Sequence, residues 1–194
     1  MKSILVILCA TLALFAWKWP QPTAEIIVDK VEAKKAFEYL NLIRENPGKH
    51  SEETGVKLGN VKSIFPLKWN DTLARVAEEK AMDMAKRNYF SHTTPDGNGI
   101  NIMIYNAGYK LDDEWIKNKK ENYFESIQAG AKDGIESIKL LIVDGYDKNL
   151  GHRKHLLGMG EWNAGLKDVG IGFVRSPQNK YKAYTSIIIA KHGW

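Results

Sequence analysis

The sequence predicts an α+β or α/β/α layered domain. Apolar residues recur with helical period through the first half of the chain, and they alternate or run together near the C-terminus. Clusters of Gly, Pro, Asn and Asp punctuate the two regimes, so helices come first and a hairpin closes the chain. At 194 residues, 44% hydrophobic and 26% charged, the chain suits one domain with a core that needs no staples.

The N-terminus reads as an appendage. Lys2 is followed by an uncharged apolar run from Ile4 to Trp17, after which Pro20 and Pro22 break the segment. That run is shorter than the roughly 20 residues of a bilayer span and has the order of a secretory signal. Residues 1–24 are therefore expected to be a signal peptide or an N-terminal anchor, residues 25–194 the domain, and the location periplasmic or extracellular. Cys9, the one cysteine, falls in this segment, so the remaining domain contains no disulfide.

The first helix is expected over Asp29 to Arg44, where Ala33, Phe37 and Leu40 mark one face, and Asn46-Pro47-Gly48 ends it. Residues from His50 to Pro66 lack helical period. Val56 to Val61 suggests a small hairpin around Gly59-Asn60, and His50 reads as a solvated surface histidine. A second helix follows Asn70 or Asp71 as cap, with Leu73, Val76, Ala77, Ala81 and Met84 on its apolar face. Glu78, Glu79 and Asp83 lie on its other face, better explained as solvated than as a carboxylate site. The helix stops near Asn88.

Asp96 to Gly99 is turn chemistry, a short helix spans about Asn101 to Ala107, and Tyr109 to Tyr123 reads as a loop. Glu125 to Gly130 forms a short strand or turn. Ile135, Ile138, Leu141 and Ile142 mark another helix, closed by Asp144-Gly145. Gly151 to Leu157 holds His152 and His155 three residues apart, on one face if helical. Val169, Ile171 and Phe173 then alternate as a strand, and Ala183 to Ala190 reads as a buried one.

Charge excludes little but helps. The formal balance is +5, falling to +3 without Lys2 and Lys18, and the lysines are scattered among acids. No basic stripe with interleaved aromatics points to nucleic acid. There is no Gly-x-Ser-x-Gly elbow, phosphate loop, dinucleotide fingerprint or His-Glu-x-x-His helix. Ser91 adjoins His92, but adjacent residues rarely make a nucleophile–base pair. His92, Glu125, Asp144 and His152 all sit at segment junctions. Such residues either bind a cation or exchange protons, or pair to satisfy buried polar groups, and spacing leaves both open.

Five motifs in order narrow the choice. Leu67-Lys68-Trp69-Asn70 with Phe90-Ser91-His92, then Asn106-Ala107-Gly108-Tyr109, Glu125-Ser126-Ile127, Gly151-His152-Arg153 with Leu156-Leu157, and Val169-Gly170-Ile171-Gly172 together resemble the CAP domain. That is the superfamily of cysteine-rich secretory, antigen 5 and plant pathogenesis-related 1 proteins. The cysteine-free domain is similar to bacterial exported members.

The resemblance implies a three-layer α-β-α sandwich with a mostly antiparallel sheet and a cleft of two histidines and two acids. Carried over by motif, His92 and His152 are the metal ligands of a divalent cation, zinc foremost, and no organic cofactor is implied. Glu125 is the first acid, with Ser126 where asparagine is usual. Glu121, followed by Asn122, is the alternative. Asp144 is the second acid, and His155 is a neighbour in place of a common asparagine. Arg153 and Tyr89 are structural. The expected function is an exported module binding a small-molecule, lipid, peptide or cell-wall ligand. The alternatives are a metal-assisted hydrolase with Glu125 as general base, or a structural domain. No nucleic-acid partner is expected, and membrane contact only through an uncleaved N-terminus.

Overall fold

The computed structural model describes residues 25–193; the expected signal or anchor, with Cys9, lies outside them. In chain order the elements are β1 (Ile27–Val28), α1 (Lys30–Glu45), a 3-10 turn (Pro47–His50), α2 (Ser51–Thr54), β2 (Lys68–Trp69), α3 (Asp71–Arg87) and α4 (Ile100–Asn106). A second 3-10 turn (Asp113–Ile116) precedes β3 (Glu125–Ala129), α5 (Gly134–Val143), α6 (Gly151–Leu156), α7 (Glu161–Ala164), β4 (Asp168–Ser176) and β5 (Lys182–Ala190).

The sheet order is β1-β4-β5-β3, antiparallel throughout, with β2 added parallel to β4. β4 and β5 form the closing hairpin and are buried along nearly their whole length. One sheet face carries α3, the other α1 and α5, which pack on each other. This is the α-β-α sandwich, and β3 is an edge strand beside α5 and α6.

The glycine motif explains how closely α3 sits. An added Cβ at Gly170 would stand 2.1 Å from the Ala74 nitrogen, and one at Gly172 would stand 2.3 Å from the Ala77 carbonyl carbon. Both glycines therefore face α3, while Val169, Ile171 and Phe173 enter the main core from the alternate side of β4. The absent side chains let the helix backbone rest on the sheet.

The longer helices form where periodicity placed them. Asp29 accepts the Glu32 N–H at 3.2 Å to cap α1, and Asn70 accepts the Leu73 N–H at 3.1 Å to cap α3. Asn88 closes α3 in the left-handed conformation, which asparagine tolerates. The expected hairpin over Val56 to Val61 does not form. α2 occupies the preceding residues instead, and the loop folds back so that Leu58 is buried with its N–H on Ser51 Oγ at 3.0 Å. Within the expected loop from Tyr109 to Tyr123, the 3-10 turn carries Trp115 edge-on against Phe124.

Candidate functional site

Four segments bring the candidate residues together. The turn after α3 supplies His92, the start of β3 supplies Glu125, the end of α5 supplies Asp144, and α6 supplies His152. His92, Glu125 and His152 line a cleft of about 340 Å³. His92 Nδ1 lies 2.9 Å from Glu125 Oε2, and His152 Nδ1 lies 2.7 Å from Asp144 Oδ1. The two imidazole rings face each other with centroids 6.4 Å apart and planes inclined by 29°. The carboxylates are buried, whereas about a third of each imidazole remains exposed: 35% for His92 and 31% for His152.

Each acid is held by more than its histidine. Glu125 Oε1 accepts the Ser186 hydroxyl at 2.7 Å, so both carboxylate oxygens are engaged. Asp144 closes α5 in the left-handed region, at φ 49°. That turn points its carboxylate at the start of α6, where Oδ2 accepts the N–H groups of His152 at 2.9 Å and Arg153 at 3.3 Å. One aspartate thus satisfies orphan donors of a helix start and orients the imidazole that the helix carries. Asp147 completes the cap by accepting the Gly151 N–H at 2.8 Å.

Lys80 lies outside the expected set. It is wholly buried in α3 and donates to the Ser91 carbonyl at 2.7 Å and to the Tyr89 hydroxyl at 3.1 Å, fixing the turn that presents His92. Tyr89 donates in turn to Asp83 Oδ2 at 2.6 Å, so Asp83 belongs to this network rather than to a purely solvated face. Burial lowers the Lys80 pKa, while the charges of Glu125 and Asp83 act to raise it. The one sequence signal is position: Lys80 falls four residues from both Val76 and Met84, on the apolar face.

Other expected residues separate cleanly. The Glu121 carboxylate accepts from Asn118 at 2.9 Å and does not line the cleft, so it cannot replace Glu125 beside His92. Its neighbour Asn122 does the local work instead, accepting the Glu125 N–H at 2.9 Å and donating to the Glu125 carbonyl at 3.1 Å. Arg153 is structural, its guanidinium donating to the carbonyls of Ile142 at 2.6 Å and Val143 at 2.8 Å. His50 is not simply solvated, since its Nδ1 lies 2.6 Å from Glu53 Oε1 and its ring meets Tyr39 edge-on. Ser91 Oγ accepts from the Thr93 N–H at 3.2 Å, leaving Ser126 as the serine that meets a cleft histidine.

That histidine is His155, buried, with Nδ1 2.8 Å from Ser126 Oγ. Desolvation holds its pKa down at about 4, below the ordinary value of about 6.5. The unfolded chain therefore binds more protons in this window. The contribution of a neutral buried His155 is complete above pH 6.5 and is lost progressively as pH falls toward 4. Urea unfolding at pH 7 and pH 4.5 is expected to show His155→Asn gaining ~2 kcal/mol relative to wild type at the lower pH. A difference that does not change with pH contradicts a neutral buried imidazole.

Each imidazole spends one ring nitrogen on a carboxylate. With each Nδ1 oriented by a carboxylate, Nε2 is the nitrogen left for a metal, the arrangement common to metal-binding histidines. Among the described residues, no group of three or more His, Cys, Asp or Glu side chains is placed to hold an ion together. Two imidazoles leave the remaining positions to water or a ligand, unlike a closed structural zinc site with four protein ligands.

Comparison with known proteins places this geometry in context. The model of the cysteine-rich secretory protein family, CAP, matches residues 37–189. The uncharacterized protein YkwD of Bacillus subtilis strain 168 is 28% identical over 165 residues, which are 79% of this chain and 56% of that protein. The chain therefore spans just over half the length of that relative. Among solved structures, an extracellular protein containing a SCP domain from Bacillus anthracis is similar with a TM-score of 0.53 and 23% identity, over 84% of this chain and 41% of the other. An outer surface protein of Borrelia burgdorferi matches with a TM-score of 0.54 and 15% identity, over 86% of this chain and 98% of the other. At these identities the structural likeness speaks for the fold alone.

Proposed function

The chain belongs to the cysteine-rich secretory protein (CAP) family, and from that premise we propose that it is an exported binding module. Its cleft takes a ligand together with a divalent cation, zinc foremost, held by His92 and His152. The observation that carries this reading is the pairing of each imidazole with a buried carboxylate through Nδ1, at 2.9 Å and 2.7 Å, on two rings that face one another. Two neutral imidazoles bind a cation modestly and release it as they protonate. A cation held there supplies a Lewis-acidic centre for a ligand oxygen.

Export rests on the apolar run from Ile4 to Trp17, which follows Lys2 and is broken by Pro20 and Pro22. No helix among the described residues is long and apolar enough to cross a membrane.

A binding role suits the acids better than a hydrolytic one. A general base must reach a water or substrate proton. Both Glu125 oxygens are committed to His92 and Ser186, and the Asp144 carboxylate to His152 and the start of α6. Both carboxylates orient.

Zinc titration by calorimetry tests the proposal. Wild type is expected to bind one equivalent, and the His92→Ala/His152→Ala variant none. Equal binding by the two proteins, or none by either, removes the cation from the account.

A further inference from the structure

Beside the histidines lies a second, larger groove of about 920 Å³, which of the four candidate residues touches only Asp144 and His152. Its floor is the edge strand: Ile127, Gln128, Ala129 and Gly130 line it. Phe90 and Tyr181 stand on one side, Leu140 and Val143 on the other, with Tyr146 at the rim. Phe90, Leu140, Val143 and Tyr146 are exposed apolar or aromatic side chains, the last fully so.

The ladder fixes which backbone groups face this groove. The Ile189 N–H donates to the Phe124 carbonyl and the Gly130 N–H donates to the Ala183 carbonyl, so even-numbered residues of this stretch bond to β5. Glu125, Ile127 and Ala129 turn their N–H and C=O to the open side. The edge is blunted at both ends by carboxamides. Asn122 engages both backbone groups of Glu125, and Gln128 Nε2 donates to the Ala129 carbonyl at 2.8 Å. Ile127 stands between them. Its N–H and C=O have no hydrogen-bond partner among the described residues, although the residue is only 6% exposed, and unpaired groups on an edge strand are a template for one more strand.

Resting on the binding reading above, we propose that the groove receives an extended peptide, paired as an added strand through the Ile127 backbone and the Ala129 N–H. The pairing supplies backbone hydrogen bonds. Alternate peptide side chains then fall against Phe90 and Tyr181 on one face and against Leu140 and Val143 on the other, so the peptide carries apolar residues on both faces. Asn122 already occupies the edge at Glu125, so the added strand stops there and one peptide end arrives at His92 and His152. An acyl chain would fill the same apolar walls but has no use for the ladder groups, and this difference makes the two separable.

The test begins with phage-displayed random octapeptides selected on the full chain, counter-selected on Leu140→Asp. The best binder is then synthesised with N-methyl groups on alternate residues in either of two phases. Strand pairing predicts that one phase weakens binding by about fivefold or more per methylated amide while the other leaves it near the parent value. It also predicts that dodecanoate fails to displace the peptide at concentrations below its micelle threshold. Peptide affinity is measured both with one equivalent of zinc and with excess chelator and is expected to agree within about threefold, so failure of the cation site and failure of the groove are read independently. Absence of enrichment over Leu140→Asp, equal loss in both methylation phases, or displacement by dodecanoate overturns the proposal.

Discussion

Gly172→Val is expected to cost more than about 4 kcal/mol and to leave little folded protein at 37 °C. The reason is steric. A Cβ alone would lie 2.3 to 2.4 Å from the backbone of Ala77 and Glu78, and backbone atoms of a buried helix cannot swing aside. Relief requires moving all of α3, which is packed on β4 and β5 along its length. Overpacking at flexible side chains costs about 1–3 kcal/mol, and a clash with a rigid helix exceeds that. The control is Gly145→Ala, where the nearest atom to the new carbon is the Val143 side chain at 3.9 Å. It should shift stability by no more than about 0.5 kcal/mol. Denaturant unfolding compares the two; comparable stability for Gly172→Val and wild type contradicts the packing described.

Asp144→Ala is expected to damage stability and site together. It removes the acceptor for two backbone N–H groups at the start of α6 and for the His152 imidazole. A lost cap costs about 1 kcal/mol and an unsatisfied buried donor about 1–3 more, so a total of about 2–4 kcal/mol is expected. Loss of an imidazole-orienting carboxylate also lowers metal affinity by about 10–100-fold. Asp144→Asn separates these effects. Its carbonyl oxygen still accepts from the helix start, so stability should fall less, while its N–H₂ cannot accept from His152 Nδ1. Urea unfolding and zinc calorimetry on both variants check this. Equal loss of stability with unchanged zinc affinity assigns Asp144 to the fold alone.

The long helices and the closing hairpin were legible because their signals are local. The stripe of Leu73, Val76, Ala77, Ala81 and Met84 buries against the sheet as its period requires, and Asn70 caps where a capping residue was expected. β1 and β2 were not legible, being two residues each and defined only by their pairing with β4. Val56 to Val61 resembled a hairpin because Gly-Asn turn chemistry is local, whereas Leu58 answers to a core pocket that sequence does not display.

The candidate site divides the same way. Motif order brought His92, Glu125 and His152 into view and Asp144 stood out at a helix end, although 33 residues separate His92 from Glu125 and only the fold joins them. Lys80 stayed hidden because a lysine on an apolar stripe looks like an interruption. Its ammonium finds the Ser91 carbonyl and the Tyr89 hydroxyl only when the turn after α3 folds back on the helix. Ser126 and His155 were visible as departures from the family pattern, but their mutual hydrogen bond required coordinates.

In the proposed cation site, buried carboxylates hold both imidazoles through Nδ1 and both Nε2 atoms meet the same ion. Long-range ¹H–¹⁵N spectra of the imidazoles at neutral pH, recorded before and after one equivalent of zinc, test it most directly. His92 and His152 are expected in the tautomer protonated at Nδ1, with the Nε2 resonances of both rings, and not that of His155, moving together as zinc is added. Zinc shifts at Nδ1, at one ring alone, or at neither contradict it.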